Sequence, residues 1–90
     1  MTPERLKCIL EAALFAAGEP LPLSRLKALF EADGEAAPEP TEIQAALASL
    51  AADYAERGVE LKEVASGYRF QVQVAWTPWV GRLWEERPPR

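Results

Sequence analysis

Val59-Glu60-Leu61-Lys62-Glu63-Val64-Ala65-Ser66-Gly67-Tyr68-Arg69-Phe70-Gln71-Val72 is the stretch in which the hydrophobic period falls from that of a helix to that of a strand. Val59 and Leu61 alternate with Glu60 and Lys62. Tyr68, Phe70, Val72 and then Val74 alternate with Arg69, Gln71 and Gln73. Such alternation places the apolar side chains on one face of a half-buried strand. Between the two runs, Ala65-Ser66-Gly67-Tyr68 puts glycine at the second central position of a tight turn. The stretch therefore predicts a β-hairpin.

Everything before it reads as helix. Thr41 with Gln44 three residues on has the pattern of a capping box. Ile43, Ala46, Leu47, Leu50, Ala51 and Tyr54 then form an apolar stripe, and Gly58 is the expected left-handed stop. At the other end Thr2-Pro3 opens a first helix, with Leu6, Ile9, Leu10, Ala13, Leu14 and Ala17 at helical spacing and Gly18 closing it. Pro20-Leu21-Pro22-Leu23 must be extended, because each proline disfavours the helical state of its predecessor. Ser24 can cap a short second helix carrying Leu26, Leu29 and Phe30. Asp33 to Pro40, with Gly34, Pro38 and Pro40, is a break. After the hairpin, Thr77-Pro78 can start a last short helix.

The order helix, extended piece, helix, helix, hairpin predicts a mostly helical α+β winged helix: a three-helix core, a β-hairpin wing and a short C-terminal helix. We assign residues 1–84 to that domain and residues 85–90 to a polar, proline-rich tail or linker.

Composition removes whole classes of function. Ninety residues build one small core and not two. Histidine is absent, which removes the usual general base of serine and cysteine enzymes and the commonest zinc ligand. Cys8, the single cysteine, closes no internal disulfide and reads as a small apolar filler. A reducing cytoplasm suits such a chain. The carboxylate pairs Glu85-Glu86 and Glu39 near Glu42 fall on polar loops or helix starts, with no phosphate loop or nucleophile–base pair beside them. We expect no catalytic residue, no metal site and no cofactor. No apolar run nears the roughly 20 residues of a membrane span, and Met1-Thr2-Pro3-Glu4-Arg5 does not open a signal peptide.

Charge bears on nucleic acid. Ten Lys and Arg against fourteen Asp and Glu give a net charge of −4, which repels polyanions. The third helix, where many winged-helix regulators read DNA, carries Glu42, Asp53 and Glu56 against Arg57 alone. The eight-residue break before it also differs from the 3–4-residue turn of a DNA-binding helix-turn-helix. A DNA-binding transcription regulator is therefore the runner-up.

Two apolar sets stand out as partner surfaces. Phe15 falls opposite the core face of the first helix, with Cys8 and Ala12, among Glu4, Arg5 and Glu11. It is either covered by Leu21-Pro22-Leu23 or the hairpin, or faces a partner. Near the C-terminus, Trp79, Val80 and Leu83 share a helical face that Trp76 and Trp84 extend. Trp76 and Trp79 are expected to close the base of the core. Trp84 is expected at an interface, where tryptophan is enriched. The candidate dimer or partner surface is Phe15, Trp79, Val80, Leu83 and Trp84.

Three blocks carry a family resemblance. Ile9-Leu10-Glu11-Ala12-Ala13-Leu14-Phe15-Ala16-Ala17-Gly18-Glu19-Pro20-Leu21 resembles the "EALLFASGEPL" start of segregation and condensation protein B, ScpB. Tyr54-Ala55-Glu56-Arg57-Gly58-Val59-Glu60-Leu61 is similar to that family's "Y-x-x-R-G-hydrophobic-x-L". Glu63-Val64-Ala65-Ser66-Gly67-Tyr68-Arg69-Phe70 is similar to its "E-V-A-G-G-Y-Q-L" hairpin. The blocks keep the family's order and spacing across most of residues 5–84, although the Asp33–Pro40 break is longer than the family's. The resemblance implies the N-terminal winged helix of a cytoplasmic, nucleoid-associated, non-enzymatic subunit that acts with an SMC ATPase and the kleisin ScpA in chromosome condensation and segregation. It further implies that this half mediates homodimerisation and that most kleisin contact belongs to a second winged helix beyond it; the charge and hydropathy patterns above in turn predict that neither DNA sequence nor membrane is bound.

Overall fold

In a computed structural model that describes residues 1–85, the elements follow the expected order. Residues 86–90, most of the expected tail, lie outside the described residues. Helix α1, Pro3–Ala17, starts at Thr2, whose side-chain oxygen accepts from the Arg5 N–H at 3.1 Å. It ends at Gly18 in the left-handed region, φ 67°. Leu6, Leu10 and Leu14 are buried.

Helix α2, Leu23–Ala28, begins one residue before Ser24, which therefore does not cap it; Pro22 holds that position with no side-chain bond. Leu26 and Phe30 enter the core, whereas Leu29 stays 48% exposed. The break is not wholly irregular. Glu31–Ala36 forms tight 3₁₀ turns that kink at Gly34.

Helix α3, Pro40–Asp53, starts earlier than Thr41 because proline is well suited to the first helical position. The capping box is thus Glu39 with Glu42, not Thr41 with Gln44: the Glu39 N–H donates to the Glu42 carboxylate at 2.8 Å. Ile43, Ala46, Leu47 and Leu50 are buried against α1 and α2. The helix stops at Tyr54 rather than at Gly58, whose φ is not positive.

Strands β1, Val59–Val64, and β2, Gly67–Val72, form the antiparallel hairpin, with Val59 opposite Val72 and Val64 opposite Gly67. That register makes Ala65 and Ser66 the central turn residues and moves Gly67 into the strand, one step from the turn position assigned to it above. Val74, read as a continuation of the alternation, instead starts a 3₁₀ turn and is 74% exposed.

Gly67 has a different task. Leu21 pairs with Tyr68 through reciprocal backbone bonds of 2.9 and 2.8 Å, docking the extended residue on the hairpin as a third, one-residue strand. The chains come so close that a Cβ on Gly67 would lie 2.3 Å from the Leu21 carbonyl carbon. Its φ of 136° also disfavours any side chain. Tyr68, Phe70 and Leu61 then close one side of the core. Gly67→Ala is expected to cost about 3 kcal/mol or more, through backbone strain and displacement of Leu21. Urea unfolding reads this as a large fall in midpoint, and an unchanged midpoint would contradict it.

Candidate partner-binding surface

Cys8, Glu11, Ala12 and Phe15 recur at three- and four-residue spacing on the outer face of α1. The hairpin stands beside that face and leaves a groove of about 610 Å³ between them. Tyr54 and Phe70 line it with ring centroids 5.0 Å apart and planes tilted by 58°, a separation within the range of favourable aromatic pairs. Val59, Glu19 and Arg69 complete its walls. Phe15 is 83% exposed, so neither Leu21-Pro22-Leu23 nor the hairpin covers it. Cys8 is exposed too and is not a core filler, because it sits on the helix face turned from the leucines.

The Tyr54 hydroxyl donates to the Glu11 carboxylate, linking the end of α3 to α1 across the groove. The bond to Glu11, with burial and the Glu11 charge adding to it, holds the Tyr54 hydroxyl above its ordinary pKa. One helical turn away, Lys7 Nζ reaches Asp53 at 2.6 Å. That pair is partly solvated and contributes little.

The second apolar set forms an arm. Thr77 does not cap helix α4, Thr77–Val80; its hydroxyl donates to the Val74 carbonyl at 2.8 Å, and Trp76 takes the cap position. Gly81–Trp84 continues as a 3₁₀ turn. This single helical turn packs mainly on the Val74–Trp76 turn before it and on the turn after it. Trp76 and Trp79 therefore do not close the base of the core: they are 43% and 60% exposed, with ring centroids 6.4 Å apart. Val80 is half-buried, and Leu83 and Trp84 are 76% and 75% exposed.

The root of the arm is fixed. Gln73 Nε2 donates to the Tyr54 and Ala55 carbonyls at 3.1 Å, and Trp76 Nε1 donates to the Arg57 carbonyl at 3.1 Å. These bonds tie the root of the arm to the turn that follows α3, where the Tyr54 carbonyl also accepts from the Arg57 N–H. The structure thus keeps Phe15, in the groove, apart from Trp79, Val80, Leu83 and Trp84, none of which lines it. Sequence reasoning missed Tyr54, Phe70 and Glu11 as groove residues, since they come from three elements far apart along the chain.

The exposed side of α3 shows Glu42, Gln44, Ala45, Ala48, Ser49 and Asp53, without a basic side chain. Among the described residues there is no cluster of three metal-ligating side chains, and no helix is long and apolar enough to cross a membrane.

The profile of the family described as segregation and condensation complex subunit ScpB matches residues 8–90. A segregation and condensation protein B homolog from Coxiella burnetii is 50% identical over 84 residues, 93% of this chain and 39% of its own length. Segregation and condensation protein B of Syntrophotalea carbinolica is 38% identical over 92 residues, 100% of this chain and 44% of its own. The chain thus spans less than half the length of these relatives. Among solved structures, a dimer of an ScpB N-terminal domain complexed with an ScpA peptide superposes with a TM-score of 0.73 at 30% identity, covering 92% of both chains. ScpB from Mycobacterium tuberculosis gives 0.80 at 22% identity, covering 100% of this chain and 56% of that one, which shows a common fold.

Tyr54 makes a pH prediction with a defined sign. A hydroxyl whose folded pKa is raised binds its proton more tightly when folded, so its contribution is full below the ordinary tyrosine value of about 10 and is lost as pH rises through the folded value. Tyr54→Phe is expected to lower stability by about 1 kcal/mol at pH 8 and to flatten the fall of stability above pH 10. Urea titrations at both pH values check this; a variant with the parent's alkaline slope would contradict it.

Proposed function

The chain belongs to the segregation and condensation complex subunit ScpB family, and from that membership we propose that it forms the N-terminal, dimerising domain of a non-enzymatic subunit acting with the kleisin ScpA and an SMC ATPase in chromosome condensation and segregation. The observation that carries the dimer reading is the apolar surface: Phe15, Leu83 and Trp84 are each at least three-quarters exposed, and Trp79 is 60% exposed. Exposed large apolar side chains, here Phe15 on the groove and the indoles and Leu83 on the arm, mark association surfaces, and tryptophan is prominent among the residues that carry binding energy. Phe15, Trp79, Val80, Leu83 and Trp84 are the proposed dimer surface.

The related N-terminal domain was solved as a dimer with an ScpA peptide. Kleisin contact is therefore proposed for this domain as well, and not for a second domain alone. A chain without histidine suits a scaffold better than a catalyst. The site of action would be the cytoplasm, at the nucleoid, reached through the complex and not by direct DNA reading.

The runner-up, a DNA-binding regulator, lacks a basic exposed face on α3. Sedimentation equilibrium at tens of micromolar is expected to give a dimer, and Trp84→Ala to weaken it at least tenfold with the far-UV circular dichroism of the folded chain unchanged. A monomeric parent chain would overturn the dimer reading. No retardation of duplex DNA is expected at moderate salt, and saturable retardation would favour the regulator.

A further inference from the structure

Resting on the dimer reading, we propose that the dimer forms by reciprocal arm exchange: Thr77–Trp84 of each copy lies in the groove between α1 and the hairpin of the other. The arm cannot satisfy itself. It packs mainly on the turns next to it in sequence, and beyond Trp76 it leaves Trp79, Leu83 and Trp84 mostly in water. The groove is the complementary shape. Phe15 stands at it 83% exposed, Tyr54 and Phe70 line it, and its 610 Å³ lies within the size range of clefts that bury aromatic ligands.

Area supports a second copy as the occupant. The exposed parts of Phe15, Trp79, Leu83 and Trp84 amount to roughly 600 Å² per chain on the usual areas of such side chains. A standard stable interface buries about 800 Å² per partner, so these four side chains supply most of one. Charge points the same way. Arg82 is the sole charged residue from Thr77 to Trp84, whereas the groove holds Glu11 and Glu19 against Arg69. The Gln73 and Trp76 hydrogen bonds fix the root of the arm beside Tyr54, itself a groove residue. Root and groove therefore share one edge of the domain, and a two-fold operation satisfies both arms with the same contact.

Cys8 lines the groove and serves as a native probe. In the 90-residue chain carrying Leu83→Cys, mild oxidation is expected to give a disulfide-linked dimer that disappears when Cys8→Ser is added. A linked dimer that survives Cys8→Ser means arm meets arm, and overturns the exchange. An internal link within one chain overturns it as well. So does failure to link while light scattering still reports a dimer, an outcome that leaves the dimer reading intact; a monomeric parent chain instead sinks that reading. Phe15→Glu provides the second measurement, also decisive if Leu83→Cys itself loosens the dimer. Arm exchange predicts at least tenfold weaker association with the far-UV circular dichroism of the folded chain unchanged, and unchanged association would contradict it.

Discussion

Leu21 and Tyr68 exchange two backbone hydrogen bonds, and that contact sets where the hairpin docks on the helices. A free two-stranded hairpin is marginal in water. Here the third, one-residue strand anchors it to the helices, and Tyr68, Phe70 and Leu61 can then pack on the core built by α1, α2 and α3. The contact is possible only because position 67 has no side chain: any Cβ there would collide with the Leu21 backbone. The proline pair around Leu21 holds that residue extended and so presents its N–H and C=O to the hairpin. Where the hairpin docks also decides where the groove opens, since its other wall is the outer face of α1.

The helices and the hairpin were legible because their signals are local. Leu6, Leu10 and Leu14, or Ile43, Leu47 and Leu50, are bound to one face by helical geometry whatever they meet. Cap positions slipped by a residue or two where two side chains could do the same work. Glu39 with Glu42 displaced Thr41 with Gln44 because Pro40, with its φ already set for a helix, takes the first helical position and leaves the cap to Glu39. Gly67 was seen as a glycine that the turn requires, whereas the reason for it lies 46 positions away in sequence, at Leu21, where no periodicity reaches.

The surface was only half legible. Phe15 could be placed opposite the leucines of α1 by counting around the helix, yet whether anything covered it depended on the hairpin's position. Trp76 and Trp79 were misplaced for a related reason. Indoles are normally buried, but burial needs a surface to lie on, and the arm departs after Gln73 and Trp76 have bonded carbonyls of the turn that follows α3. On this winged helix the third helix shows acids and alanines, and the apolar surplus lies on a groove and an arm.

The central claim is that a second copy of the chain covers the exposed indoles. Trp76, Trp79 and Trp84 are the only tryptophans, so intrinsic fluorescence reads that covering directly across a concentration series. The account predicts an emission maximum that moves to shorter wavelength in step with the doubling of molecular mass. Emission fixed at that of a water-exposed indole while the mass doubles would contradict it.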